Sequence, residues 1–275
     1  MRYPLELERV RHFKEVAIGT PLPPNMVIAQ GISRRAQIAE AVHILNQRDE
    51  INQVVILAPP HQPSAAVLTQ LRDQALGKRL MQTTSLRAPG IDLRSAVHQA
   101  FTSYARSRLT NLKAHDLLTT TSDADLDRMA DYITASATDV DITPGAQLTK
   151  TVLSYNDHYH GSFTEAGFLN VHIDSERDHM DARMVDCVTG SGTVLFADGD
   201  FEYEYYEENG MLKTRLKTEG IIDSCWVLPP QSSVLMRTPP PDAKPSIRPA
   251  VHAHGLGQRG RSEERLTLRY DLTLG

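Results

Sequence analysis

From about Leu148 to its end the chain is a succession of short β-prone runs, broken by Gly, Pro and Asp-Gly turns, with no long helix-period segment between them. Nine runs qualify as strands, over 150–155, 168–173, 183–188, 193–196, 201–206, 213–217, 225–228, 233–237 and 265–274. Each is rich in β-branched and aromatic residues, which pack well on a pleated surface. Strands this short and this numerous bury their apolar faces only by closing on themselves or by stacking as two sheets, which predicts an antiparallel barrel or sandwich. Asp198-Gly199 and Asn209-Gly210 are the clearest hairpin turns, because both residue types tolerate positive φ.

The first half has a different texture. Apolar residues recur there at three and four positions, the spacing of one helix face. Four stripes stand out: Ile38, Ala41, Val42 and Leu45, with Ser33 as N-cap; Val67, Leu68, Leu71 and Ala75; Val97, Ala100, Phe101 and Tyr104; and Leu126, Met129, Ala130 and Ile133. A serine before the first turn suits a cap because its hydroxyl accepts from a free backbone N–H. The run 54–57 ends before Pro59-Pro60 and reads as a buried strand. A boundary near Pro144-Gly145 divides a mainly helical region, 1–145, from a strand-rich one, 146–275, in an α+β chain.

With 275 residues, 40% hydrophobic and 23% charged, the chain has the composition of a folded, water-soluble protein. A formal net charge of -5 gives no general attraction to phosphate backbones or anionic lipid, so neither nucleic acid nor membrane is an expected partner. The first residues carry charges where a secretory signal needs an apolar core, and no window reaches the ~20 apolar residues of a membrane span. A cytoplasmic location is the expectation. Cys187 and Cys225 are too few for a disulfide framework and read as buried apolar residues. No Gly-x-Ser-x-Gly elbow or phosphate-binding loop occurs, which removes the commonest hydrolase and nucleotide-binding readings.

His172-Ile173-Asp174, at the end of an apolar strand, carries the chemistry. It is followed much later by His252 and His254 in Val-His-Ala-His-Gly, and then by Arg265-Leu266-Thr267. Two imidazoles and a carboxylate can take one face of an octahedral Fe(II) and leave the other positions open. In His-x-Asp the two side chains flank one residue, so both can reach the same side where a strand ends. His179-Met180-Asp181 has the same form but leaves little room for a complete strand before the turn at 190–193. His172 and Asp174 are therefore preferred.

Together these residues resemble the Fe(II)/2-oxoglutarate-dependent oxygenases, and the stretch from His254 to Arg265 resembles the distal segment of the phytanoyl-CoA hydroxylase branch. The resemblance covers about residues 150–275. It implies a C-terminal double-stranded β-helix, jelly-roll or cupin-like; the helical half, which the resemblance leaves unexplained, is expected to pack on it. It also implies Fe(II) held by His172, Asp174 and one of His252 and His254, the spacing to Arg265 favouring His254. The cosubstrate 2-oxoglutarate would pair through its far carboxylate with Arg265, helped by Thr267, with Arg269 as second candidate on the same face; a guanidinium fork suits a carboxylate better than an ammonium. The implied activity is oxidation of a small-molecule or peptide substrate. Tyr155, Asn156, His158 and His160 are candidates to line its cavity. The competing expectation is a barrel of the same fold that binds a metal or ligand without turnover.

Overall fold

All nine predicted runs form strands, as does the run 54–57, and the described residues add four more. The computed structural model describes residues 3–68, 95, 122–156, 167–174, 180–208, 211–218, 220–238, 246–255 and 265–275. In chain order the strands are β1 (Tyr3–Glu6), β2 (Val10–Glu15), β3 (Met26–Ile28), β4 (Gln53–Ile56), β5 (Ala146–Asn156), β6 (Phe168–His172), β7 (Ala182–Thr189), β8 (Val194–Leu195), β9 (Glu202–Glu208), β10 (Met211–Lys217), β11 (Ile222–Val227), β12 (Ser233–Arg237), β13 (His252–Ala253) and β14 (Arg265–Leu274). Helices α1 (Arg34–Gln47) and α2 (Asp123–Asp141) complete the described elements used below.

Among the described residues two six-stranded sheets form, in the orders β1-β6-β13-β8-β11-β2 and β3-β4-β12-β7-β14-β5, and β9 and β10 make a separate pair. From β5 to β8 successive strands alternate between the sheets, and β11 to β14 alternate again, a jelly-roll-like winding. Side chains of both sheets meet between them: Val185, Val234 and Met236 from one share a core with Leu195 and Trp226 from the other.

The pleat decides what each strand shows to that interior. On β14, Leu266, Leu268, Tyr270 and Leu272 pack outward against Ile38, Ala41, Val42 and Leu45 of α1 and Ala130, Ile133, Ala137 and Val140 of α2. Arg265, Thr267, Arg269 and Asp271 alternate with them and so face the space between the sheets. On β6, Leu169 and Val171 join an outer core with Phe201 and Leu216, leaving Asn170 and His172 on the inward face.

Ser33 caps α1 as expected, its hydroxyl accepting from the Ala36 amide at 3.2 Å. Cys187 and Cys225 are buried and form no disulfide, and burial pushes the pKa of the Cys225 thiol up to about 12. Residues 1–145, expected to be mainly helical, also supply strands: β1 and β2 join one sheet and β3 and β4 the other. β2 buries only Val10, so an edge position replaces the alternating pattern that marks a half-buried strand. Asp198-Gly199 makes a turn, with Gly199 at φ +95°, but it leads from β8 into a different sheet rather than closing a hairpin. Asn209-Gly210 lies outside the described residues, between strands β9 and β10, which do pair antiparallel. Leu71, Ala75 and the whole third helical stripe also lie outside them. No helix among the described residues is long and apolar enough to cross a membrane.

Candidate metal centre

The inward face of β6 ends on His172, and the register of β13 sets His252 directly across from it. Opposed residues of an antiparallel pair hold their Cβ atoms about 5 Å apart, so the rings meet without any special loop. Their centroids are 4.2 Å apart. Asp174, two residues beyond His172, turns its carboxylate to the same point. Its Oδ2 lies 3.5 Å from His252 Nε2, and its Oδ1 lies 4.0 Å from His172 Nε2. One ligand atom from each of the three residues falls within 4.8 Å of the others.

The outer ring nitrogens are directed away from this point. His172 Nδ1 is 3.1 Å from the Asn170 carbonyl oxygen and His252 Nδ1 is 3.4 Å from that of Ala250. A backbone acceptor at Nδ1 directs that nitrogen's proton to the carbonyl and leaves Nε2 aimed at this point, the orientation a metal-binding histidine requires. His252 is 4% exposed, and its burial pushes its pKa down, which favours the neutral form a ligand needs. Burial opposes ionisation of Asp174, but the Arg183 guanidinium, aided by His252 and His172, outweighs it and holds the carboxyl well below the usual carboxylate range.

His254, which spacing favoured, does not join this group. Its Nδ1 lies 3.0 Å from Arg265 Nη1, and its ring centroid lies 4.8 Å from that of His172. The geometry therefore groups His252, not His254, with His172 and Asp174. Arg265 is held besides by the Ser191 carbonyl at 2.9 Å and by Thr193 Oγ1 at 3.3 Å, so its guanidinium closes the same interior. Thr267 is buried on the same face, and Arg269 adds to the positive field on Asp174. The rejected His-x-Asp has a structural use: Asp181 Oδ2 accepts from the Leu274 amide at 2.9 Å. His158 and His160 lie outside the described residues, as does any account of the side chains of Tyr155 and Asn156.

Two residues that the structure places beside this cluster, Arg183 and Asn170, were not singled out from the sequence. Arg183 bridges Asp174 Oδ1 and Asp271 Oδ1, each at 2.6 Å. The available signal was a charge opening a predicted strand, which must find a partner if that strand is buried. Asn170 is 4% exposed on the inward face, one pleat from His172, and neither polar atom of its amide has a hydrogen-bond partner among the described residues. Leaving such a group unsatisfied costs about 1–3 kcal/mol unless water or a ligand completes it.

No protein-family model matches the chain, and no curated protein sequence does. Among solved structures, the dioxygenase for auxin oxidation from rice aligns at 12% identity over 92% of this chain and 83% of its own, with a TM-score of 0.37. The Arabidopsis thaliana dioxygenase for auxin oxidation 1, solved with 2-oxoglutarate, aligns at 10% identity over 92% and 93%, with a TM-score of 0.42. EctD from S. alaskensis, solved with bound Fe, aligns at 12% identity over 100% and 84%, with a TM-score of 0.31. Similarity at this level assigns no activity, and the side-chain geometry has to do so.

Proposed function

We propose that the protein is an oxidoreductase of the Fe(II)/2-oxoglutarate-dependent oxygenase type, acting on a small-molecule or peptide substrate. His172, Asp174 and His252 hold the iron, and Arg265 with Thr267 receives the cosubstrate's far carboxylate, Arg269 lying further along the same face. The observation that carries the reading is the convergence of two Nε2 atoms and one carboxylate, from segments some 80 residues apart, on one buried point. Two atoms each about 2 Å from one ion lie no more than ~4 Å apart, so side-chain shifts of about 1 Å close this set on a cation. Two imidazoles and one carboxylate are the donor set that suits Fe(II) with positions left open. The unsatisfied Asn170 amide beside His172 fits an interior made to receive a polar ligand.

When bound, iron and its cosubstrate supply the oxygen chemistry that no side chain can. The chain's own part is geometry and exclusion of water. The backbone carbonyls of Asn170 and Ala250 orient the rings, and Arg265 provides a fixed cation for a dicarboxylate.

The test is anaerobic titration with Fe(II) and 2-oxoglutarate, read as the weak visible charge-transfer band of the chelate. A band in the wild-type protein and none in a folded Asp174→Ala variant is expected; a folded wild type without the band rejects the assignment. One observation favours the second reading, a barrel that binds a ligand without turnover: Asp174 already has a cationic partner in Arg183, shared with Asp271. Oxygen consumption that depends on 2-oxoglutarate separates the two.

A further inference from the structure

Arg183 sits where the metal reading least expects a cation. It is 9% exposed, it faces Asp271 in the β7–β14 register, and it binds that residue's Oδ1 through Nε. Through Nη1 it also binds Oδ1 of Asp174, itself 10% exposed. The two oxygens of Asp174 are thus unlike. Oδ1 is engaged by a guanidinium at 2.6 Å, whereas Oδ2 faces His252 Nε2 at 3.5 Å.

Resting on the metal reading above, we propose that Arg183 is a positioning residue that restricts Asp174 to one-oxygen coordination, so that the cation keeps room for a chelating cosubstrate. A carboxylate with both oxygens free can take two positions on a metal ion. A site that must accept a two-toothed cosubstrate cannot spare the second position. The guanidinium suits the task because its planar fork fixes two carboxylates at once and never loses its proton. Asp271 anchors it: buried to 1% exposure and opposite in register, that carboxylate holds Arg183 from the side away from Asp174 Oδ2. The arrangement also weakens the grip on the cation, because Arg183 offsets the one negative charge in the donor set.

The experiment measures two affinities without turnover: that for Mn(II), from the loss of the free-ion resonance, and that of the Mn(II)-loaded protein for 2-oxoglutarate, by calorimetry. In Arg183→Met, Mn(II) should bind more tightly and 2-oxoglutarate about ten-fold more weakly, a shift of the size seen for changes behind a metal ligand. Arg183→Lys, which keeps a cation on Oδ1, should stay close to wild type in both. Because Arg183→Met leaves Asp271 buried without its partner, Arg183→Met with Asp271→Asn is made alongside, and carries the same expectation with that stray charge removed. An unchanged 2-oxoglutarate affinity overturns the proposal, as does a parallel fall of both affinities, the mark of a merely structural arginine. A wild-type protein that takes up no Mn(II) overturns the metal reading, and this inference with it.

Discussion

His252 and His254 stand two residues apart, yet one meets Asp174 and the other Arg265. The spacing to Arg265 pointed to His254, because sequence distance indicates which strands are neighbours but not their register. Here the register comes from a two-residue strand, too short to carry any alternation of its own. His252→Ala should abolish Fe(II) uptake while His254→Ala retains it, as measured by equilibrium dialysis under anaerobic conditions; the reverse pattern would transfer the ligand role to His254. Away from the centre, burial pushes the Asp200 carboxyl up to about 6. Its folded pKa lies above the ordinary value, so the folded state holds the proton more tightly than the unfolded chain. The resulting cost to stability is fully present above pH 6 and fades as pH falls through 6 toward 4. Asn keeps an oxygen to accept from the Ala197 amide, which Asp200 Oδ2 meets at 3.0 Å. Asp200→Asn should therefore stabilise by about 1 kcal/mol at pH 7, discounted for solvent screening, and by little at pH 4. Thermal unfolding at the two pH values decides it, and equal melting temperatures at pH 7 refute it.

At the scale of elements, the nine predicted strands were legible because they alternate or run apolar between turn residues, whereas β1 and β2 were not, because edge strands bury little. The turn at 190–193 was legible as well, but the reason for its glycines was not. A Cβ on Gly192 would lie 1.9 Å from the Leu228 carbonyl oxygen, and one on Gly255 would lie 2.2 Å from Ser191 Oγ. The turn is wedged between the segments that follow β11 and β13, close enough for the Leu228 amide to donate to the Thr193 carbonyl at 3.0 Å. It is also the segment that holds Arg265, through Ser191 and Thr193. Because the clash is with backbone, it is relieved only by moving a strand end, and Gly192→Ala should cost about 3 kcal/mol. Urea unfolding measures this directly. A loss of only a few tenths would mean that the turn has slack the packing does not show.

Across the whole molecule, α1 is joined to the sheet beneath it by charge as well as by apolar contact. Arg34 is buried at the start of α1. It donates to both oxygens of Asp186 at 2.7 Å and to Ser233 Oγ at 2.9 Å, while the Tyr270 hydroxyl donates to Asp186 Oδ2 at 3.1 Å. No single-sequence pattern pairs residue 34 with residue 186, and only the stacking of α1 on β7, β12 and β14 brings them together. Asp186 is 0% exposed, so it has no solvent to fall back on. Removing one partner leaves an uncompensated buried charge, worth about 3–5 kcal/mol, whereas replacing both by apolar residues removes the desolvation cost as well. Asp186→Leu should therefore destabilise strongly, and Arg34→Met combined with Asp186→Leu should recover most of the loss. A double-mutant cycle in urea reads the coupling. If the two losses simply add, the pair is not acting as one unit, and the apolar faces of Leu266, Leu268 and Leu272 alone hold the helices on the sheet.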